Sequence, residues 1–187
     1  MRADALEGGF ADPAPDAAHA FRAIMEAMAR PGKIHDLVGA APPAPLSVAA
    51  GAALLTLADG TTPVHLAGEA DCEPVRRWLA FHTGAPVTGA ETCAFAVGTW
   101  PALLPLSSYP VGTPEYPDRS ATLIVEVDRL AAEGATLCGP GIRETAELSL
   151  PETRAFAENH ARAPLGLDFI FTCGAQVAAL PRSTEVG

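Results

Sequence analysis

Residues 167–180 read LDFIFTCGAQVAAL and carry the clearest fold signal in the chain. Two apolar segments, 167–172 and 176–180, flank a short turn at Cys173-Gly174-Ala175. Apolar segments rich in strand formers on both sides of a glycine-containing turn are typical of a β-hairpin. The sequence therefore predicts that a hairpin closes the chain.

Upstream of this hairpin, segments with strand and helix character alternate. The predicted strands are 34–38, 63–67, 93–97, 121–127, 135–138 and 145–150. The predicted helices are 16–30, 47–58, a segment that begins after Asp71, and 151–161, with Asp16, Ser47 and Asp71 as caps. This alternation indicates an α/β fold, namely a three-layer αβα sandwich with a mixed, mainly parallel sheet and helices on both faces.

The first predicted helix carries one apolar stripe. Phe21, Ile24, Met25 and Met28 follow the i, i+3, i+4, i+7 spacing of a single helix face. A stripe of this kind normally faces a core, so we expect these four side chains to be buried.

Length and composition fit a single domain. The chain has 187 residues, and 49% of them are hydrophobic, which provides enough apolar surface for a substantial core. Pro13 and Pro15 make residues 1–15 a loose lead-in, so one α/β domain is expected over 16–187. Residues 98–120 contain five prolines and are predicted to form a long irregular loop.

Charge and targeting signals exclude several classes of function. The formal net charge is −10, whereas binding to a nucleic acid backbone or to an anionic membrane surface needs clustered positive charge. The N-terminal residues do not form a signal peptide, and no segment approaches the ~18 apolar residues of a membrane span. The four cysteines include no C-x-x-C pair. We therefore expect a cytoplasmic protein with reduced thiols that binds neither nucleic acid nor membrane.

Six residues are candidate ligand contacts because they stand at expected strand or helix ends. They are Asp59, His82, Thr83, Gly139, Gly141 and Arg182. Ligands of open α/β sheets collect at the carboxyl ends of strands, and an arginine just past a strand suits an anion. Each of these residues is equally consistent with a turn, a cap or a core contact. No histidine pair has metal-ligand spacing and no serine lies in a nucleophile motif, so neither a metal site nor a catalytic residue is predicted.

Ten short motifs occur along the chain, each once and in a fixed order. They are Phe21-Arg22, Met28-Ala29-Arg30-Pro31-Gly32, Leu54-Leu55-Thr56-Leu57-Ala58-Asp59, Thr62-Pro63-Val64, Phe81-His82-Thr83-Gly84-Ala85-Pro86, Gly134-Ala135-Thr136-Leu137, Gly139-Pro140-Gly141-Ile142, Pro164-Leu165-Gly166-Leu167-Asp168, Thr172-Cys173-Gly174 and Leu180-Pro181-Arg182-Ser183-Thr184. Together and in this order they resemble the PhnH family of the bacterial carbon–phosphorus lyase system, which degrades phosphonates. The resemblance covers the chain from about Asp16 to Val186.

The resemblance implies a subunit of a multi-subunit transferase. PhnH-family proteins work with G, I and L components that move the ribose triphosphate of ATP onto a phosphonate and release adenine. The product, a ribose 1-phosphonate 5-triphosphate, is later cleaved by the J subunit. The resemblance also implies a homodimer and a fold similar to a reduced pyridoxal-phosphate-dependent transferase. It assigns no catalytic residue to this chain, because the nucleosidase chemistry is credited to the I subunit.

Lys33 bears on whether the cofactor of such transferases is present. A pyridoxal-phosphate enzyme needs a lysine for its Schiff base, and that lysine normally lies deep in the large domain. The one lysine here follows the first helix in a turn, so we expect no pyridoxal phosphate.

Two alternatives to a complex subunit stay open. One is a stand-alone enzyme that acts on an anionic small molecule, with His82 as acid or base and Arg182 as the anion contact. The other is a vestigial module that binds a nucleotide or a phosphonate without turning it over.

Overall fold

The computed structural model describes residues 7–187, and its helices and strands follow the predicted alternation. Its α-helices are α1 (Pro13–Ala29), α2 (Val48–Leu57), α3 (Glu73–Thr83) and α4 (Arg154–His160). Its strands are β1 (His35–Asp36), β2 (Val64–Leu66), β3 (Phe95–Thr99), β4 (Thr122–Glu126), β5 (Ala135–Cys138), β6 (Ala146–Leu148), β7 (Asp168–Cys173), β8 (Gln176–Leu180) and β9 (Glu185–Val186). No helix within these described residues is both long and apolar enough to cross a membrane.

The strands form one large and one small sheet. The large sheet has the order β1-β8-β7-β4-β3-β2, in which β2, β3, β4 and β7 are parallel and β8 is antiparallel to both of its neighbours. The predicted hairpin pairs Phe169 with Leu180 and Cys173 with Gln176 around Gly174, whose φ is +58°. The mixed, mainly parallel sheet and the hairpin are therefore confirmed, but the hairpin does not close the chain, because β9 follows it and pairs with β5.

The small sheet has the order β6-β5-β9 and is antiparallel throughout. In β5 and β6, Leu137 and Leu148 are buried, whereas Thr136 and Glu147 are exposed and lie opposite each other. Alternation of this kind suits a sheet with one solvated face. The predicted strands 135–138 and 145–150 are confirmed, and they pair with each other outside the large sheet.

Alternate residues of the large sheet face two separate cores. On one side, Val97, Ile124 and Ile170 pack in the same core as α1, α2 and α3. On the other side, Leu123 and Phe171 share a core with α4, the small sheet and the segment after β3. Helices on both faces are thus confirmed only in part, because α4 has seven residues and the small sheet covers much of what a longer helix would cover.

Helix α1 differs from its prediction in two ways. It begins at Pro13, because proline is tolerated in a first turn, and Asp16 there accepts a hydrogen bond from the backbone N–H of Asp12 at 3.0 Å. The predicted stripe is also split. Ile24 is buried, whereas Phe21 and Met25 are 52% and 48% exposed. The face that packs against the core instead carries Ala20 and Ala27, whose small side chains bring the helix close to its neighbours.

Residues 98–120 are ordered by packing rather than by regular structure. Short 3-10 turns occur at Trp100–Leu103, Leu106–Ser108 and Pro117–Arg119. Trp100, Leu103 and Tyr109 are buried, and the indole N–H of Trp100 donates to Glu152 at 3.0 Å. This irregular segment therefore covers part of the second core.

Candidate functional site

The six predicted ligand contacts do not gather at the carboxyl edge of the parallel strands. Asp59 precedes β2, and His82 and Thr83 end α3 ahead of β3, so these three lie on connections that lead into the strands. Arg182 follows β8, but β8 runs antiparallel to β7, which places its carboxyl end at the opposite edge. The expected position at the carboxyl edge is therefore wrong. The predicted hairpin itself reverses the direction of β8, and Gly139 and Gly141 follow β5, which belongs to a second sheet that the sequence did not indicate. Whether these residues contact a ligand stays a prediction.

Asp59 organises the turn that follows α2. One of its carboxylate oxygens accepts three hydrogen bonds at 2.8 Å each, from the N–H and hydroxyl of Thr61 and from the hydroxyl of Thr62. These bonds lower the pKa of Asp59, the side-chain bond from Thr61 most strongly. The turn lies against the end of α3, where Gly84 approaches Gly60.

Thr83 and His82 end α3 and tie it to neighbouring backbone. The hydroxyl of Thr83 donates to the carbonyl of Leu79 at 2.8 Å and accepts from the N–H of Ala85 at 3.0 Å. The ring of His82 lies 5.3 Å from that of Trp78, and its Nε2 is 3.2 Å from the carbonyl oxygen of Glu7. His82 thus fastens the segment that precedes α1.

Gly139 and Gly141 form a close-packed turn after β5. Their φ angles are +127° and +84°, in the left-handed region that favours glycine. A Cβ on Gly141 would lie 1.9 Å from the carbonyl oxygen of Ala29 at the end of α1. One on Gly139 would lie 3.0 Å from the carbonyl oxygen of Ser183. Both glycines therefore allow close backbone approach within the fold.

Arg182 is the most enclosed charge among the six candidates. Its guanidinium and the carboxylate of Asp168 are only 16% and 17% exposed. The backbone N–H of Arg182 donates to Asp168 Oδ1 at 2.8 Å, and Nη1 donates to the carbonyl oxygen of Pro117, also at 2.8 Å. Nη2 also contacts the hydroxyl of Ser120. The donors of this arginine are therefore directed at the protein's own acceptors.

Glu126 lies at the carboxyl edge of the sheet, and the sequence had predicted no role for it. Glu126 ends β4 and accepts a hydrogen bond from the backbone N–H of Ser47 at 2.6 Å, immediately before α2. Its other carboxylate oxygen accepts from the hydroxyl of Thr172 at 2.9 Å. Ser47 in turn caps the helix through its Oγ, which accepts from the N–H of Ala50 at 3.1 Å, as predicted. The signal that could have marked Glu126 is its position as the charged last residue of an otherwise buried apolar strand.

Beside Glu126 lies an open cleft of about 470 Å³. It is lined at the ends of β3 and β4 by Trp100, Glu126, Asp128, Arg129 and Ser149, among others. A second cleft of about 510 Å³ adjoins it through Arg129 and adds Glu133 and Glu152.

The charge of this double cleft favours some ligands over others. Its four lining carboxylates are Glu126, Asp128, Glu133 and Glu152, of which Glu133 pairs with Arg129. The other lining arginine, Arg154, pairs with Glu158 at 2.7 Å. A surface of this sign repels a triphosphate and suits hydroxyl or cationic groups.

The buried ionisable groups lie away from this cleft. Burial raises the pKa of the Cys93 thiol to about 11 and that of the Tyr109 hydroxyl to about 12. Both groups are neutral at physiological pH. The Cys93 sulfur lies 3.2 Å from the carbonyl oxygen of Ala90, as a weak donor.

The geometry of the described residues also bears on metals and on a lysine-bound cofactor. Between residues 7 and 187, no group of three or more His, Cys, Asp or Glu side chains is arranged to hold a metal ion. Lys33 is exposed on the connection between α1 and β1. A Schiff-base lysine needs an enclosed environment to hold its cofactor, so this position does not fit pyridoxal phosphate.

Comparison with known proteins gives a consistent result. The model of the family described as bacterial phosphonate metabolism protein (PhnH) matches residues 8–187. A protein of Rhizobium meliloti (strain 1021) named "Alpha-D-ribose 1-methylphosphonate 5-triphosphate synthase subunit PhnH" is 43% identical over 96% of this chain and 94% of its own length. A protein of Stutzerimonas stutzeri named "Putative C-P lyase subunit protein HtxG" is 31% identical over 92% of this chain and 87% of its own length. Because the family model covers almost every residue of the fold described above, this chain belongs to the PhnH family of bacterial phosphonate metabolism proteins.

Proposed function

We propose that this chain is the PhnH subunit of an α-D-ribose 1-methylphosphonate 5-triphosphate synthase in the carbon–phosphorus lyase pathway. The observation that carries the proposal is the match over nearly the whole chain to a relative with that name. In this role the chain supports transfer of the ribose triphosphate of ATP to a phosphonate, and the bond-breaking chemistry lies in another subunit.

The geometry supports a role without catalysis by the isolated chain. The candidate residues with the most suggestive chemistry, His82 and Arg182, contact the protein's own backbone and carboxylates. The double cleft beside Glu126 carries four carboxylates and two arginines that are both paired with carboxylates, which disfavours the triphosphate of ATP. A subunit that shapes or supports a site elsewhere in a complex agrees with both observations.

The proposal includes the partners and the compartment. The chain forms a homodimer and joins the G, I, J and L components, and ATP and phosphonate are handled by the assembled complex. The cytoplasm is the proposed compartment, supported by four free cysteines, which reducing conditions preserve. The mixed sheet agrees with descent from a pyridoxal-phosphate-dependent transferase fold, but the proposal does not depend on that ancestry.

We further propose that the chain binds no pyridoxal phosphate. The exposed position of Lys33 supports this. Glu126 supports it as well, because its carboxylate already occupies the start of α2, where the phosphate of a cofactor could otherwise bind. An absorbance scan of the protein with added pyridoxal phosphate should show only the bands of the free cofactor. A stable imine band that disappears in Lys33→Ala would overturn this proposal.

Reconstitution tests the subunit role directly. Purified G, I and L components, ATP and methylphosphonate are incubated with and without this chain, and adenine and the ribosylated phosphonate are quantified. We expect the phosphonate product only when this chain is present, and no adenine release by this chain alone. Full product formation without it would refute the subunit role, and turnover by the chain alone would favour a stand-alone enzyme.

A further inference from the structure

Residues 7–10 form a strap that lies against the end of α3 and the segment before α2. The carbonyl oxygen of its first residue lies 3.2 Å from Nε2 of His82, and that of its second residue accepts from the backbone N–H of Ala41 at 2.9 Å. Its last residue, Phe10, packs against the core that α1, α2 and α3 share. These contacts hold the strap in place without any regular secondary structure.

The strap forms one wall of a cavity of about 440 Å³, and α1, α2 and α3 supply the other walls. Small-molecule sites typically have about 300–1,000 Å³, a mainly apolar lining and a few polar groups that orient the ligand. This cavity matches that description in volume and in lining. Its apolar side chains are Phe10, Pro13, Ala17 and Leu55, and its polar ones are Glu7 and His82.

A buried donor beneath the strap lacks an acceptor. Trp78 is fully buried, and its indole Nε1 has no hydrogen-bond partner among the described residues. Native proteins pair most buried N–H groups, because an unpaired one is unfavourable. A Cβ on Gly8 would lie 3.4 Å from this nitrogen, so Gly8, which lines the cavity, lies directly beside the donor. A small shift of the strap at Gly8 would bring the donor within reach of a ligand in the cavity.

His82 supplies an acceptor next to this donor. A carbonyl oxygen can only accept, so the contact of Nε2 with Glu7 places the proton of the neutral imidazole on Nε2. Nδ1 then has a free lone pair, and no hydrogen bond to it occurs within residues 7–187. The rings of His82 and Trp78 are 5.3 Å apart, so acceptor and donor belong to one cluster.

Gly9 brings the strap close to this cluster. A Cβ on Gly9 would lie 2.6 Å from Nδ1 of His82. Its φ angle is not in the left-handed region, so the lack of space, and not the backbone conformation, requires glycine here. A larger side chain at this position would therefore move the strap away from α3.

The lining favours one class of ligand. Apolar walls suit a flat apolar body, and the indole N–H and the imidazole Nδ1 suit a molecule that has both an acceptor and a donor on its edge. The carboxylate of Glu7 and the net charge of −10 disfavour a phosphate. A neutral nitrogen heterocycle meets all three conditions, because its ring nitrogens accept, its N–H groups donate and its faces are apolar.

We propose that the cavity under the strap binds a neutral nitrogen heterocycle, with Trp78 and His82 as its polar contacts and residues 7–10 as a cover that shifts at Gly8. Adenine is the heterocycle that the proposed reaction releases, and only the choice of this ligand rests on the proposed function.

Calorimetric titration of the full chain with adenine tests the site. We expect one adenine to bind per chain, and no binding of ribose 5-phosphate, which has a phosphate and no base. Trp78→Phe keeps an aromatic ring and removes the N–H, so the dissociation constant for adenine should rise by roughly 2- to 10-fold. The urea midpoint of Trp78→Phe should not fall through loss of a hydrogen bond, because the indole N–H has no partner to lose.

Trp100→Phe is the matched control. The indole N–H of Trp100 donates to Glu152 on the other side of the sheet, so this variant should lose stability and keep the native affinity for adenine. Trp78 is then the one tryptophan left, and its fluorescence reports on the site. We expect adenine to change this emission, and Gly9→Val in the same chain to increase quenching by acrylamide, because the displaced strap exposes Trp78.

Three results would overturn the proposal. They are no heat and no change in emission with millimolar adenine, an adenine affinity that is unchanged in Trp78→Phe, and equally tight binding of ribose 5-phosphate. Reconstitution with the G, I and L components distinguishes a failure of this site from a failure of the proposed function. Product formation that needs this chain, although adenine does not bind it, would leave the subunit role intact without the site. Adenine binding by a chain that the reaction does not need would leave the site intact without the subunit role.

Discussion

Arg182 joins three segments of the chain at one guanidinium. It contacts Asp168 at the start of β7, and Pro117 and Ser120 in the irregular segment, while its own carbonyl oxygen lies 3.0 Å from Nδ1 of His160. Both members of the Arg182–Asp168 pair are largely buried, so removing one leaves an uncompensated charge. We expect Arg182→Ala to lower the free energy of unfolding by roughly 3 kcal/mol in urea titrations.

A surface ion pair provides the control for this prediction. Arg154 pairs with Glu158 at 2.7 Å, but its side chain is 86% exposed. Solvent screens such a pair, so Arg154→Ala should leave the urea midpoint nearly unchanged. An equal decrease of the free energy of unfolding in both variants would mean that burial of the Arg182–Asp168 pair does not increase its contribution to stability.

Tyr109 and Cys93 predict how stability changes at alkaline pH. Each is an acid whose folded pKa is raised by burial, to about 12 and about 11, so folding favours the neutral forms. Their contribution is complete below the pKa of the unfolded chain, near 9 for Cys and 10 for Tyr, and is lost as pH rises through the folded values. We expect the urea midpoint to fall between pH 9 and 12.

Substitution separates the two groups. Tyr109→Phe should reduce the decrease of the urea midpoint at the alkaline end of this range, above about pH 10. In the native protein, tyrosinate absorbance should show one tyrosine that ionises at a higher pH than a free tyrosine. Cys93 should react with thiol reagents at pH 8 more slowly than the half-buried Cys72. A Tyr109→Phe chain with an unchanged pH profile would show that this hydroxyl does not contribute.

At the scale of elements, two glycine turns distinguish the cost of an unfavourable backbone conformation from the cost of a steric overlap. Gly141 and Gly174 both have positive φ angles, but a Cβ on Gly141 would overlap the carbonyl oxygen of Ala29, whereas one on Gly174 meets nothing within 4 Å. Gly174→Ala should lower the free energy of unfolding by about 1–2 kcal/mol, because alanine disfavours a positive φ angle. Gly141→Ala should cost more than about 3 kcal/mol, because the end of α1 must also move. Thermal unfolding of the two variants compares them, and equal costs would contradict the close packing at Gly141.

Helix α2 depends on a carboxylate from a distant strand. The hydrogen bond from Ser47 N–H to Glu126 links the start of α2 to the end of β4, and a negative group is favourable at a helix start. Glu126→Ala should lower the free energy of unfolding by about 1–3 kcal/mol in urea titrations. Glu126→Gln should recover part of this, since an amide oxygen still accepts the bond. Full stability in Glu126→Ala would show that water replaces the carboxylate without loss.

Secondary structure was predictable where one local pattern dominated, and less so where tertiary packing decided. The hairpin of β7 and β8 and the cap of α2 by Ser47 are local, and both are confirmed. The N-cap of α3 is Cys72 rather than Asp71, because Asp71 pairs with Arg76 instead. The exposure of Phe21 and Met25 could not be read from spacing, since the same period fits either a buried row or a docking surface.

The candidate site was less predictable than the fold for a related reason. A glycine, threonine or arginine at a strand end has the same appearance in sequence whether it binds a ligand or a neighbouring segment. Only the partners of Arg182 and the space around Gly141 distinguish these roles, and both depend on residues far along the chain. Glu126 escaped notice because its partner, the start of α2, lies 79 residues away.

For the molecule as a whole, excess negative charge opposes the folded state. A net charge of −10 on a chain of 187 residues produces self-repulsion that salt screens. We expect the free energy of unfolding to rise by about 1 kcal/mol between low salt and 0.3 M NaCl. Near the isoelectric point of about 4.8 the same salt addition should have little effect. A salt response of equal size at both pH values would point to a general solvent effect instead.

The order of strands in the large sheet has a consequence for synthesis on the ribosome. β7 lies between β4 and β8, yet it is made more than 40 residues after β4. While the intervening residues are translated, the edge of β4 that will bind β7 is unpaired, although β2, β3 and the helices before them are already available. A nascent chain of this length exposes Leu123, Ile124 and Val125 along an open strand edge. Folding of the large sheet is therefore a late event. If translation pauses before residue 168, the unpaired edge of β4 stays exposed for longer, and this is the stage at which binding by a chaperone would prevent the most aggregation.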